Sequence, residues 1–256
     1  MANTPRIELD TRSSDAIDGR QIRAVSFQGV RLEYVRGVLD RLGKAASGSR
    51  ALMVGGGRGL LASGLARLGF DVVAVDPSAT ATAIARESNK TERLDIAYQS
   101  ADAESLSLDD ATFDVAYYAD TFEITPHIDR VVEEAARVLK PGGVLIYDTV
   151  NRTLLSRLIY LGAFQSLPMT RIMPPGRYAA ARLRTPAELT AALSRHGLRN
   201  EDICGFKPKD PRSLVKATLA RRRGQITDEE IPPIVDFVLV PRGRPMVTYL
   251  GYARKR

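Results

Sequence analysis

Apolar and polar positions alternate along the chain in blocks that predict a regular series of strands and helices. Between residues 50 and 149, short apolar runs typical of buried strands are separated by segments with apolar residues at helical spacing. The predicted strands are Arg50–Val54, Asp71–Val75, Asp95–Gln99, Phe113–Tyr118 and Val144–Thr149. The predicted helices are Leu60–Leu68, Ala79–Ser88 and Ile128–Leu139. This alternation predicts an α/β fold with a doubly wound, mostly parallel sheet covered by helices on both faces.

The regions on either side of this series have their own patterns. They predict helices at Val30–Leu42, Pro186–His196 and Leu214–Arg222, strands at Asp202–Phe206 and Met246–Tyr252, and an apolar, basic insertion at Leu154–Leu167. No repeat or linker interrupts the chain, so we predict a single domain. Its parts are an N-terminal helical segment (1–45), a core (46–150), an inserted helical lid (151–185) and a C-terminal part of the sheet with a basic insertion (186–256).

Composition narrows the class of protein. The 256 residues are 44% hydrophobic, yet no apolar run approaches the roughly 20 residues that cross a bilayer, and no signal peptide opens the chain. We therefore expect a cytoplasmic protein. The single cysteine, Cys204, excludes an internal disulfide framework and a cysteine-based metal cluster, and we expect it to be a buried thiol. The net charge of +7 is scattered without interleaved aromatic residues, so no nucleic-acid partner is expected.

A glycine-rich loop carries the first chemical signal. Gly55-Gly56-Gly57-Arg58-Gly59 follows the first core strand, and the next strand leads to Asp76. Glycines let a backbone turn tightly and approach a ligand, while a carboxylate at the following strand end can accept both hydroxyls of a ribose. The ligand should therefore be an adenosine derivative. Because Gly57 also begins a GxGxxA pattern, a nicotinamide cofactor and an NAD-linked oxidoreductase stay open at this point.

Four further motifs follow the loop in order. They are Val75-Asp76-Pro77-Ser78, Ser100–Glu104, Phe113–Asp120 and Leu139-Lys140-Pro141-Gly142-Gly143. With this order and spacing the chain resembles the class I S-adenosylmethionine-dependent methyltransferases. Outside that core, three motifs are similar to the ubiquinone-biosynthesis O-methyltransferase family, which methylates phenolic hydroxyls on polyprenylated rings: Arg31–Val35, Asn151-Arg152-Thr153 and Thr185–Leu189. The resemblance covers roughly residues 28–206.

The resemblance implies S-adenosyl-L-methionine as cofactor and S-adenosyl-L-homocysteine as product. It implies that the glycines lie beside the methionyl part, Arg31 meets its carboxylate, Asp76 binds the ribose, and Asp102 with the Ala103 amide meets the adenine. The cofactor residues carried over are Arg31, Gly55, Gly57, Gly59, Asp76, Asp102, Ala103 and Ala119. The chain departs from the family at Met53, where an acidic residue usually stands, and at the bulky Arg58.

Two carboxylates follow the fourth core strand. In the family, residues matching Asp120 and Glu123 are followed directly by a histidine and are associated with a divalent ion, but Ile124 stands here instead. We therefore expect exposed carboxylates and no metal, with Mg²⁺ held by two hard oxygen ligands as the alternative. His127 is the candidate general base for a phenol, with Glu123 as the second candidate.

The resemblance implies a methyltransferase that O-methylates a phenolic hydroxyl of a hydrophobic aromatic small molecule. That molecule would be a quinone precursor or a secondary metabolite. N- or C-methylation of a small metabolite is an alternative, and Met53, Arg58 and Ile124 motivate another, a cofactor-binding protein that has lost methyl transfer. Residues 154–173 are predicted to cover a lipophilic acceptor and to contact a membrane surface peripherally, or else to pack as an ordinary lid. The sequence does not predict an oligomeric state.

Overall fold

The computed structural model describes residues 5–13 and 15–256; the first four residues and Ser14, which belong to the predicted N-terminal segment, lie outside them. Within the described residues the strands are β1 Arg6–Ile7, β2 Ala16–Ile17, β3 Arg50–Val54, β4 Asp71–Asp76, β5 Ile96–Ser100, β6 Phe113–Tyr118, β7 Leu139–Val150, β8 Leu198–Pro208, β9 Phe237–Val240 and β10 Thr248–Lys255. The helices are α1 Gly19–Leu42, α2 Leu60–Arg67, α3 Ala79–Glu92, α4 Ile128–Val138, α5 Leu154–Ser156, α6 Pro186–Arg195 and α7 Pro211–Arg222, and α5 continues as a π-helix over Arg157–Ala163.

Eight of these strands form one twisted sheet in the order β5-β4-β3-β6-β7-β10-β8-β9. The first five are mutually parallel, whereas β10 runs antiparallel to β7 and β8, and β9 runs antiparallel to β8. The predicted doubly wound, mostly parallel sheet is confirmed. The strand β9 was not predicted, and β7 begins at Leu139, earlier than the predicted Val144, with a register shift that accommodates Lys140–Gly143.

Helices cover both faces of the sheet, as the alternating pattern predicts. Along β6, Val115 and Tyr117 contribute to a core that includes residues of α1 and α2, while Ala116 and Tyr118 contribute to a core with α4 and α6. Successive strand side chains point to opposite faces, so the same strand serves both cores. Cys204 is buried, as predicted, and no helix in the described part of the chain is long and apolar enough to cross a bilayer.

The N-terminal segment differs most from its prediction. Helix α1 begins at Gly19 rather than Val30, because the Asp18 side chain accepts the amides of Arg20 and Gln21 and so caps it. It ends at Leu42, and Gly43, whose φ is +60°, caps that end. Ahead of it, β1 and β2 pair in parallel, so the segment 1–45 is not purely helical. The early start of α1 carries Arg20 and Arg23 to the carboxyl ends of the parallel strands, where Arg31 of the same helix also lies.

Candidate active site

The glycine loop lies where β3 ends, between the ends of β4 and β6. Gly55 has a φ of +76°, and a Cβ there would collide with the carbonyl oxygen of Ala119. Gly59 has a φ of +86°, and a Cβ there would lie 2.7 Å from the Tyr98 hydroxyl. The amides of Gly55 and Gly56 both donate to the Val75 carbonyl, at 3.0 and 3.2 Å. Gly55 and Gly59 thus require glycine, because a side chain would be strained by the backbone conformation and would collide with its neighbours.

Asp76, the predicted ribose ligand, ends β4 directly beside this loop. Its Oδ2 accepts the Gly57 amide at 2.8 Å and its Oδ1 accepts the Ser78 amide at 2.9 Å. The Arg20 guanidinium also binds it, with Nη2 2.5 Å from Oδ2, and the same arginine donates to both oxygens of Asp10 at 2.8 and 2.7 Å. The carboxylate is only 3% exposed. An arginine of the chain itself therefore lies on the carboxylate that is predicted to bind the ribose.

The structure brings four of the eight predicted cofactor residues to one small cavity. Its lining includes Arg31, Gly55, Gly57 and Ala119, together with Met53, Arg58 and Asp120. Gly59 precedes α2 at the end of the same loop. Asp102 and Ala103 do not line the cavity and lie in a turn just past β5, the strand that pairs with β4. The predicted adenine position is thus at the neighbouring strand end.

These residues fit S-adenosylmethionine in kind. The loop offers backbone without side chains, Asp76 offers a carboxylate for ribose hydroxyls, and the buried Nε of Arg31 has no hydrogen-bond partner among the described residues. An unpaired buried N–H is costly, so this position suits an anionic group. The cavity measures about 20 Å³, however, which is room for about one water molecule.

A buried charge cluster lies next to this cavity, where β6 and β7 end. We define it as Arg23, Arg31, Asp120, Glu123 and Asp148. Arg23 pairs with Asp120 and, at 3.0 Å, with Glu123, while Arg31 pairs with Asp120 at 3.0 Å and with Asp148 at 2.7 Å. Glu123 is fully buried. The prediction of exposed carboxylates is therefore wrong, because two arginines of α1 cover them.

Hydrogen bonds and aromatic rings complete the surroundings of this cluster. Thr149 donates its hydroxyl to Glu123 Oε2 at 3.0 Å, and the Tyr117 hydroxyl donates to Asp148 at 3.0 Å. The Arg23 guanidinium lies 5.0 Å from the ring centre of Tyr160 and 5.9 Å from that of Tyr178. Aromatic faces stabilise a cation at such distances. The carboxyl of Glu123 is thus beside an arginine that aromatic rings hold in place.

The protonation of the three carboxyls differs within this cluster. Burial would raise the pKa of Asp120, but Arg23 and Arg31 outweigh it and hold that pKa well below its usual range. Burial raises the pKa of Glu123 to about 7, since Arg23 offsets only part of the desolvation. Burial likewise raises the pKa of Asp148. Glu123 can therefore take up and release a proton near neutral pH.

His127, the first candidate base, is not part of this cluster. It is exposed at the start of α4, where its backbone amide donates to the Thr125 hydroxyl at 3.0 Å. The chain reaches solvent at Pro126, directly before His127. Among the described residues no three histidine, cysteine or carboxylate side chains are grouped as metal ligands, and both Asp120 and Glu123 pair with arginine.

The sequence prediction missed the arginines Arg20 and Arg23 and the carboxylate Asp148. Positions 20, 23, 27 and 31 follow helical spacing and share one face of α1, but the arginines interrupted the apolar pattern, so the helix was predicted to begin later. The available signal for the longer helix was the helical spacing of Arg20, Arg23 and Arg31 on the same face as Phe27. For Asp148 the signal was a lone acid inside the apolar run Val144–Val150.

Comparison with known proteins gives a consistent result. Residues 52–147 match the family model described as a methyltransferase domain. The chain is 36% identical over 186 residues to the ubiquinone biosynthesis O-methyltransferase of Chelativorans sp. (strain BNC1), a match that covers 70% of this chain and 73% of that protein. It is 34% identical over 190 residues to the protein of the same name from Xanthomonas axonopodis pv. citri, with 74% and 77% covered.

Several solved structures have a fold similar to that of this chain. The structure of a Galdieria sulphuraria protein assigned as a sarcosine dimethylglycine methyltransferase superposes on this chain with a TM-score of 0.63 at 18% identity. The superposition covers 88% of this chain and 84% of that chain. The magnesium protoporphyrin IX methyltransferase of Synechocystis PCC 6803, solved with bound S-adenosylhomocysteine, gives a TM-score of 0.60 at 16% identity, with 93% and 86% covered. At these identities the likeness concerns the fold alone.

Proposed function

The chain belongs to the ubiquinone-biosynthesis O-methyltransferase family of S-adenosylmethionine-dependent methyltransferases, and from that premise we propose that it methylates a phenolic hydroxyl of a hydrophobic aromatic small molecule. Quinone precursors and aromatic secondary metabolites both belong to this substrate class. Family membership confirms the predicted enzyme class and the cofactor S-adenosylmethionine. It also removes the nicotinamide interpretation of the glycine loop.

The observation that carries the proposal is the buried carboxyl of Glu123. A phenol has a pKa near 10 and is a better nucleophile once its proton leaves, and a base contributes about 10²- to 10⁴-fold to such a step. A base works best when its pKa lies near the operating pH, and burial raises the pKa of Glu123 to about 7. We assign Glu123 as the group that takes the phenol proton, in place of His127, which is exposed.

The remaining residues would bind and orient. When bound, S-adenosylmethionine supplies a methyl group already activated by its sulfonium. Gly55 and Gly57 would let the backbone approach, Asp76 would hold the ribose, and Ala119 would offer its backbone. Arg23 would keep Glu123 oriented through its 3.0 Å ion pair. Alignment of reacting groups of this kind contributes about 7–11 kcal/mol.

The test is a transfer assay read by mass spectrometry. Purified protein with S-adenosylmethionine is offered catechols, monophenols, ring-matched anilines and the corresponding methyl ethers, and the position of any added methyl is mapped by fragmentation. We expect methyl gain on phenolic oxygen and none on the methyl ethers, which lack a free hydroxyl. Gain on nitrogen or on a ring carbon would favour the N- or C-methyltransferase alternative and contradict the proposal.

A second candidate function has an observation in its favour. Ile124 stands where the family has a histidine, and the neighbouring Glu123 is fully buried and paired with Arg23, as it could be in a cofactor-binding protein that no longer transfers methyl groups. Calorimetry with S-adenosylhomocysteine separates the two candidates when combined with the transfer assay. Tight binding without transfer to any member of the panel supports the second candidate, whereas transfer to a phenol excludes it.

We also propose that residues 154–173 meet a lipid surface on which a lipophilic acceptor can reside. Leu154, Leu158 and Met169 are 74%, 62% and 72% exposed, while Tyr160 in the same segment is buried. The segment thus has an apolar outer side as well as a packed inner side, and Arg157 and Arg171 can meet anionic headgroups.

Co-sedimentation with anionic vesicles tests this surface. We expect the Leu154→Ser/Leu158→Ser double variant to bind vesicles at least about fivefold more weakly, because two apolar side chains no longer leave water. Val215→Ser is the matched control, since Val215 is 56% exposed on α7 outside the segment. Equal binding by all three proteins would exclude the lipid contact.

A further inference from the structure

Arg20 lies where a bound adenosine derivative would place its ribose. Asp76 accepts the Gly57 amide on one oxygen and the Ser78 amide on the other, and the Arg20 fork supplies the remaining donors. A ribose that donates two hydroxyl hydrogen bonds to Asp76 competes for the same lone pairs. The cavity of about 20 Å³ beside them admits only a water-sized molecule.

The segment ahead of α1 holds this arginine in place. We call residues 5–13 and 15–18 the N-terminal cap. Both carboxylate oxygens of Asp10 accept hydrogen bonds from Arg20 Nη1. The backbone amide of Asp10 donates to Asp18 Oδ2 at 2.7 Å. Arg58 of the glycine loop also donates to Asp18 Oδ2 at 2.7 Å. The bulky residue that departs from the family pattern therefore ties the cofactor loop to the cap.

The basic insertion near the C-terminus anchors the cap from the other side. Arg221 of α7 pairs with Asp228 at 2.6 Å and donates to the carbonyl of Ala16. Asp228 in turn accepts the amide of Asp18 at 3.4 Å, and Arg222 donates to the carbonyl of Pro5 at 3.3 Å. The contacts of Pro5, Ala16 and Asp18 thus join the cap to a region that the sequence resemblance does not cover.

We propose that Arg20 is a displaceable gate of the cofactor site, which neutralises Asp76 until the ribose replaces it, and that the cap and α7 set how firmly the gate is held. The gate is suited to displacement because Asp76 keeps its two backbone amide donors when Arg20 leaves. Arg20 also keeps Asp10 as a partner. The proposal concerns the cofactor of the family and is independent of the proposed phenolic acceptor.

Calorimetry with S-adenosylhomocysteine tests the gate on the full chain. A charge-assisted bond that the ligand no longer has to break corresponds to about tenfold or more in affinity, so Arg20→Gln should bind correspondingly tighter than wild type. Arg36→Gln is the matched control, because Arg36 is an exposed arginine of the same helix, and it should bind like wild type. Equal or weaker binding by Arg20→Gln overturns the proposal, since it would show that Arg20 does not compete.

Two further variants protect the test against damage to the fold. Arg20→Lys keeps a cation for Asp10 but loses the fork and should tighten binding by about threefold. Asp228→Asn loosens the anchor far from the loop and should also tighten binding, whereas general damage weakens it. Circular dichroism verifies each fold. Absence of binding in every variant overturns the gate together with the cofactor role of this loop, while failure to methylate phenols touches only the proposed acceptor.

Discussion

The two ends of the site hold the arginines of α1 in different ways. At the glycine loop, Arg20 is 13% exposed and its carboxylate partner Asp76 also accepts two backbone amides. In the buried charge cluster, Arg23 and Arg31 are 4% and 2% exposed, and the carboxyls there depend on them. An unpaired buried charge costs several kcal/mol, whereas a carboxylate held by amides stays satisfied. One helix thus supplies a removable contact at one end and a fixed one at the other.

The largest effect expected from this difference is on catalysis. Glu123→Gln should lower kcat about 10²- to 10⁴-fold, because an amide cannot take the phenol proton, while the affinity for S-adenosylhomocysteine stays within about twofold. Steady-state methyl transfer and calorimetry measure the two quantities. Asp76→Asn is the matched change at the other end and should weaken the affinity instead. A parallel loss of cofactor affinity in Glu123→Gln would erase the distinction between the ends.

Stability separates the same two ends. Arg23→Met should lower the free energy of unfolding by about 3–5 kcal/mol, because Asp120 and Glu123 lose their shared buried partner. Arg20→Met should cost clearly less, since Asp76 retains the Gly57 and Ser78 amides. Urea unfolding at neutral pH measures both, and equal losses for the two variants would contradict the comparison.

The pH dependence of stability gives a further contrast. The pKa of Glu123 rises from about 4.3 in an unfolded chain to about 7 in the fold, so the folded state holds a proton that the unfolded state releases. The stabilisation of the fold by this bound proton is complete below about pH 4.3 and is lost as the pH rises through about 7. Glu123→Gln should therefore gain on wild type between pH 5 and pH 8.5 by on the order of 3 kcal/mol. A difference that stays constant over this range would refute the assignment.

The smallest effect concerns the histidine that sequence reasoning favoured. His127→Gln should change kcat by less than about twofold, because an exposed side chain outside the charge cluster has no proton to take from the acceptor. The transfer assay decides the matter. A loss of 10²-fold or more would restore His127 as the base and remove that role from Glu123.

The parallel core could be predicted from sequence because its strands are apolar runs punctuated by glycine and proline. Arg50–Val54 and Phe113–Tyr118 were predicted with the bounds that the structure has. Asp76 was predictable because its position follows from the strand that carries it. The partners of Asp76 and Glu123 were not, since an arginine inside a helix is ordinarily a solvated residue, and only the packed fold brings Arg20 and Arg23 over the strand ends.

The anchor of the N-terminal cap also orders events in the life of the chain. The cap contacts that reach Arg221 and Asp228 join residues 205 and 210 positions apart. During synthesis the parallel core emerges long before these partners, and contacts of such separation form late in folding. The glycine loop and Asp76 therefore pass through a stage in which no anchored cap holds Arg20 over them. A nascent chain can therefore meet its cofactor before the gate is anchored.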